Sequence, residues 1–185
     1  MKLWGGRFEK GPSELFERFS GSLHYDRRLL AADVKGSQAF ARELERVGIL
    51  SVAEREKICA ALEEIGREGV EDGATDEDVH TYVIRKLQEK VGAAAEKIHT
   101  GRSRNEQVSL DFRIWMREEI VATRTRLADL MEALLEGARR EGGAVLPGYT
   151  HLRRAQPVLW AHYLLAYFEM LARDVERFEI GRAHV

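Results

Sequence analysis

Apolar residues recur along this chain at helical rather than strand spacing. Leu30, Val34, Ser37, Ala41 and Leu44 step by four and three, so they share one helix face, and Gly48 is placed to stop that helix. Ser51 and Glu54 have the spacing of a capping box ahead of a helix carrying Ile58, Leu62 and Ile65. Gly66, Gly69 and Gly73 are expected to break the chain after it. Asp76, Glu77 and Asp78 put negative charge where a helix N-terminus attracts it, and Val79, Val83, Leu87 and Val91 carry that helix to Gly92. No run of period-2 alternation rich in β-branched residues stands out, so the expected fold class is all-α.

The longest pattern runs from about residue 105 to 141. One stripe is Leu110, Ile114, Val121, Ala128 and Leu135; a second is Ile120, Leu127, Leu130 and Leu134. Such a helix would be roughly 55 Å long, whereas a compact globule of this chain length is about 40 Å across. Two apolar stripes on so long a helix predict a bundle completed by other chains or by further sequence. Gly142 and Gly143 end it. Pro157 suits the first turn of a last helix, whose buried face is Trp160, Leu164, Phe168, Leu171, Val175 and Phe178. There is no internal repeat and no low-complexity segment.

Composition narrows the class. The 185 residues carry 29 Lys+Arg against 31 Asp+Glu, a net charge of −2, which argues against nucleic-acid binding. A hydrophobic content of 44% suffices for a packed core. Cys59 is the single cysteine, so neither an internal disulfide nor a multi-cysteine zinc site is available, as suits a reducing cytoplasmic setting. The N-terminus has no apolar leader, and the longest apolar stretch, Val158 to Phe168, is broken by His162 and falls short of the ~20 residues that span a bilayer. No membrane association is expected.

Two segments are too rich in hydrogen-bonding side chains to read as plain connectors. His99-Thr100-Gly101-Arg102-Ser103-Arg104-Asn105-Glu106-Gln107 opens the longest helix, where free N–H groups attract anions and two guanidinium forks match carboxylates. Ser103 and Glu106 also have capping-box spacing, which alone would account for part of it. The second segment, Pro147 to Pro157, holds Thr150 and His151 between Gly148 and Pro157; a loop histidine there could serve as an acid or base, or only bond local backbone. His151 is expected in a loop and accessible. Ser22 with Asp26 reads as a loop and helix cap, and Asp78 with His80 reads equally well as capping and a solvated face. Trp4, Trp115 and Trp160 read as core.

Taken together, these stretches resemble the N-terminal part of the argininosuccinate lyases, within the aspartase/fumarase superfamily. The resemblance is carried by Trp4-Gly5-Gly6-Arg7-Phe8, Ser22 to Arg27, Asp76 to Thr81, His99 to Gln107 and Gly148 to Pro157, and covers residues 1–179. His99 to Asn105 is its most specific part. It implies reversible cleavage of argininosuccinate to arginine and fumarate, with no metal and no organic cofactor. It gives His151 a catalytic acid/base role and makes Ser22, Arg104, Asn105 and Thr150 substrate-binding. Asp78, His80, Arg102 and Ser103 are implied as supporting positions near the site. It further implies a cytoplasmic homotetramer whose sites draw on three subunits around a helical bundle. On this reading residues 1–104 are an N-terminal helical domain and 105–179 the start of the central bundle.

The chain departs from the family pattern at Arg153, where a glutamine is usual, and a cation there would disfavour protonated His151. The family's serine-bearing loop and C-terminal part are not in the sequence, so the chain alone is expected to be inactive, and residues 180–185 look extraneous. The competing expectations are a non-catalytic, crystallin-like helical protein of the same fold and another fumarate-releasing lyase of the superfamily.

Overall fold

A computed structural model describes residues 11–185; the Trp4 to Phe8 motif lies outside the described residues. The chain forms α1 (Glu14–Ser20), α2 (Leu23–Asp26), a 3₁₀ turn (Arg27–Leu29), α3 (Leu30–Arg46), α4 (Val52–Glu68), α5 (Val79–Val91), a second 3₁₀ stretch (Gly92–His99), α6 (Arg104–Arg140), β1 (Val145–Thr150), β2 (Arg153–Leu159) and α7 (Trp160–His184). It divides into two compact units, one ending at Trp115 and one beginning at Met116. The fold is mainly helical with one small two-stranded sheet.

In the first unit α3, α4 and α5 pack around Ala41, Leu44, Ile58, Leu62, Ile65, Val79, Val83 and Leu87, closed by Ala95 and Ile98. These include the apolar positions that the 3.6-residue period selects, each worth about 1.5–3 kcal/mol when a large aliphatic side chain leaves water. The capping box is formed: the Glu54 N–H donates to Ser51 Oγ at 3.2 Å and the Ser51 N–H to Glu54 Oε2 at 2.9 Å. Gly66 does not break α4. It lies within the helix, and a Cβ there would meet Val34 Cγ2 at 3.5 Å, so glycine serves the close packing of α3 on α4. α4 ends at Glu68.

The second unit holds the rest of α6, the hairpin and α7. Of the α6 stripes, Ile120 is buried and Leu127 and Leu134 half-buried, while Leu110, Val121, Ala128 and Leu130 are exposed. All six positions expected to face inward on α7, from Trp160 to Phe178, are half-buried and none is fully buried.

The hairpin corrects the sequence reading. Pro157 does not open a helix; it lies in β2 opposite Pro147, and α7 begins three residues later at Trp160. Two prolines and a glycine in thirteen residues hide the strand period, and prolines are tolerated here because both strands of a two-stranded sheet are edges. A bulge between Pro147 and Tyr149 shifts the register, after which Tyr149 pairs with Arg154 and Thr150 with Arg153. A Cβ at Gly148 would lie 2.9 Å from the Gln156 carbonyl oxygen, so the strand approach requires glycine.

Candidate functional site

Five candidate positions converge at the start of α6 in the first unit. Asp78 caps α5, accepting the Thr81 N–H at 2.6 Å. Arg104, the first residue of α6, reaches back to the same cap: its guanidinium donates to Asp78 Oδ1 at 3.3 Å and to Thr81 Oγ1 at 3.4 Å. Arg102 donates to Ser37 Oγ on α3 at 2.9 Å and lies 5.2 Å from the centre of the Phe40 ring. The Ser103 carbonyl accepts the Gln107 N–H at 3.1 Å, the first bond of the helix. Asn105 is exposed on that first turn. The result is a helix N-terminus flanked by two braced arginines, Arg102 held to α3 and Arg104 to the cap of α5.

Ser22 stands at the other side of the same cap. Its backbone N–H donates to the Glu77 carbonyl at 2.7 Å, and its hydroxyl donates to Asp26 Oδ2 at 2.5 Å. Asp26 Oδ1 in turn accepts the Val79 N–H at 3.1 Å. Burial raises the Asp26 carboxyl pKa, although the bonds from Ser22 and Val79 oppose that rise. Ser22 is therefore tied, through Asp26 and Glu77, to the turn that carries Asp78.

His80 is not a solvated face residue. It is buried and faces two buried carboxyls, Asp33 Oδ1 at 3.2 Å and Asp111 Oδ2 at 3.4 Å. Gln107 Nε2 donates to Asp33 Oδ1. Burial, and then the charge of Asp33, push the Asp111 carboxyl up to about 8, and burial raises Asp33 as well. The sequence reading missed Asp33 and Asp111, and took Gln107 only as one of the hydrogen-bonding residues that open the longest helix. A signal existed: Asp33 follows Leu30 by three, and Gln107 and Asp111 precede Ile114 by seven and three, so all three are polar residues on apolar faces. Among the described residues Asp33, His80 and Asp111 are the group whose donor atoms lie close enough, within 4.8 Å of one another, to share a cation.

In the second unit, Thr150 ends β1 and His151 and Leu152 form the two-residue turn into β2. Both turn residues are left-handed, with φ of 49° and 64°. Turns of this hand normally use Asn-Gly, since a side chain in that conformation costs roughly 1–2 kcal/mol per residue. His151 is exposed in this turn, as expected, and Leu152 is 98% exposed. Arg153 stands across the turn, paired with Thr150. A groove of about 520 Å³ between α3 and α4, lined by Val34, Lys35, Gln38, Arg42, Cys59 and Glu63 among others, contains none of the expected residues.

The chain is thus a mainly helical protein with candidate groups at the start of a long helix and in an exposed Thr-His turn. The family model described as Lyase matches residues 6–184, and the chain belongs to that family. It is 62% identical over 186 residues to the argininosuccinate lyase of Solibacter usitatus, covering 98% of this chain and 40% of that protein. It is 49% identical over 180 residues to the argininosuccinate lyase of Desulforudis audaxviator, covering 95% and 39%. The chain thus spans about 40% of the length of the curated relatives it matches. Among solved structures, an EDDS lyase variant with bound fumarate superposes with a TM-score of 0.73 at 25% identity, over 95% of this chain and 36% of that one. A fumarate lyase:delta crystallin from Brucella melitensis shares the fold, with a TM-score of 0.73 at 18% identity over 94% and 46% of the two chains. Among the described residues, no helix is long and apolar enough to cross a membrane.

Proposed function

We propose that the complete protein carrying this chain is a cytoplasmic argininosuccinate lyase that reversibly splits argininosuccinate into arginine and fumarate. The observation that carries this reading is the turn at residues 150–153. An imidazole is kept in a left-handed conformation that glycine would occupy without strain, and such retained strain points to a functional side chain. The reaction removes a proton from a carbon next to a carboxylate, and negative charge builds on that carboxylate as it leaves. Thr150 binds a substrate carboxylate, and His151 takes part in the acid/base steps. Arg104 and Asn105, at the α6 N-terminus, hold the succinyl carboxylates, where donors fixed in advance stabilise the developing charge. Ser22 contacts substrate, with Asp78, Arg102 and Ser103 supporting the loop. The working form is a homotetramer whose sites draw on three subunits.

The test is fumarate release by the complete gene product, followed by ultraviolet absorbance in a host lacking its own enzyme. Asn105→Ala lowers kcat/KM at least ~10-fold, equivalent to ~1.4 kcal/mol of transition-state binding. Wild-type kinetics in that variant remove Asn105 from the site. Turnover of malate or adenylosuccinate instead identifies another lyase of the superfamily, and no turnover at all identifies a structural protein of the same fold.

A further inference from the structure

The buried group at the junction of α3, α5 and α6 has more acceptors than donors. Asp33 and Asp111 are fully buried, and Asp33 Oδ2 and both oxygens of Asp111 have no hydrogen-bond partner. Asp33 Oδ1 already receives the Gln107 amide and faces His80 Nδ1. One imidazole N–H cannot serve both carboxylates. Two bare carboxylates at this depth would repel one another and lack the hydration that ions need. One more donor is required, and the chemistry allows two: a metal cation or a proton.

The surroundings favour the proton. The guanidiniums of Arg102 and Arg104 already place positive charge near both carboxyls, which opposes entry of a metal cation, and the Gln107 amide occupies one of the oxygens a shared cation could use. A carboxylic acid donating to its neighbouring carboxylate supplies the missing donor and halves the buried negative charge. The groups facing the pair are His80 from α5, His99 from the second 3₁₀ stretch, Arg102 from the loop after it, and Arg104 and Gln107 from α6. The backbone closes tightly on them: a Cβ at Gly36 would fall 3.0 Å from Asp111 Oδ1.

We propose that Asp33 and Asp111 hold one proton between them, and that this bonded pair positions the first two turns of α6, and with them Arg104 and Asn105, for binding a dicarboxylate. Asp111 stands seven residues, two turns, beyond Arg104 on the same helix, so locking Asp111 to α3 fixes the helix start in translation and rotation. Asp33 and Asp111 are positioning residues: they act through the helix and need not touch substrate. Loss of the shared proton sets two carboxylates against each other and loosens the helix start. Where only the protonated pair binds, apparent affinity follows its population, so KM rises about tenfold between pH 7 and pH 9 for a group titrating near 8.

The proposal rests on the lyase reading, and two independent readouts separate their failures. The first is thermal stability of the complete protein against pH. A carboxyl whose pKa is raised by folding keeps its proton in the fold, while the unfolded chain releases it near its ordinary value. Its contribution is therefore complete at acid pH, falls as pH rises from about 4 to about 8, and changes no further above that. Asp111→Asn replaces the acid by an amide that donates at every pH and removes this slope, whereas Asp111→Ala lowers the midpoint at all pH values. The stretching band of a buried protonated carboxyl, seen by infrared spectroscopy, is present in the wild type and absent in Asp111→Asn. The second readout is kinetic: KM rises with pH in the wild type and stays flat in Asp111→Asn, with kcat little changed. Parallel stability curves and no infrared band overturn the shared proton. A shared proton with the same KM profile in both proteins overturns the positioning role. If neither protein releases fumarate the lyase reading fails, and the stability and infrared comparison still decides the proton.

Discussion

His151 and Leu152 show how one turn can be written in residues that fit it poorly. Their neighbours leave no choice of hand, because a two-residue link between antiparallel strands of native twist requires positive φ at both positions. Leu152 is 98% exposed, so its side chain offers no packing in return. Leu152→Gly therefore removes strain and loses only the entropy that glycine adds to the unfolded chain. The hairpin should gain about 0.5–1 kcal/mol, seen as a two- to fivefold slowing of amide exchange at Tyr149 and Arg154. Unchanged or faster exchange would mean that the turn is not strained. At this scale the sequence placed His151 in a loop, since Gly148 and Pro157 bracket it, but the same bracket also read as loop the residues that form β1 and β2, Thr150 among them. It did not show the conformation, because nothing in the letters His-Leu announces a left-handed pair. Asp33 and Asp111 were hidden for a different reason: a buried carboxyl is recognisable only once the residues that meet it, 31 to 78 positions away in the chain, are known.

At the level of elements the helices were readable because burial on one side imposes its own period. The α4 start was the clearest, since Ser51 and Glu54 bond each other's backbone whatever else the chain does. Ser51→Ala should cost about 1 kcal/mol, measured as a lowered urea midpoint at unchanged slope. A change in slope instead would indicate that the cap organises more than its own helix. The strands were not readable, because their stability comes from pairing across the turn rather than from residue preference. The α7 face was foreseen residue by residue from Trp160 to Phe178, yet the helix start was placed three residues early. Proline at a helix start and proline at a strand edge satisfy the same constraint, a missing N–H, and the sequence alone does not choose between them.

For the whole molecule, chain length and exposed surface point the same way. The chain spans about 40% of its curated relatives, and Val121, Leu130, Leu165, Tyr167 and Met170 stand exposed on two long helices. Residues 1–185 expressed alone should self-associate and release no fumarate, with association detected by light scattering. Turnover near ordinary enzyme rates, ~1–10³ per second, would show that these residues suffice for the proton abstraction. The helix α6 has a further consequence, for insertions and deletions. Its 37 residues run without a break from Arg104 to Arg140. Each added residue turns everything beyond it by about 100° and advances it by about 1.5 Å. One inserted alanine near residue 128 would swing Leu134 and Leu135 a quarter-turn off their stripes, while seven inserted residues would bring them back within about 20°. Insertions and deletions should therefore be tolerated in the connections and not in α6, except there in steps of seven, which a stability measurement on variants with one and with seven residues inserted near residue 128 checks.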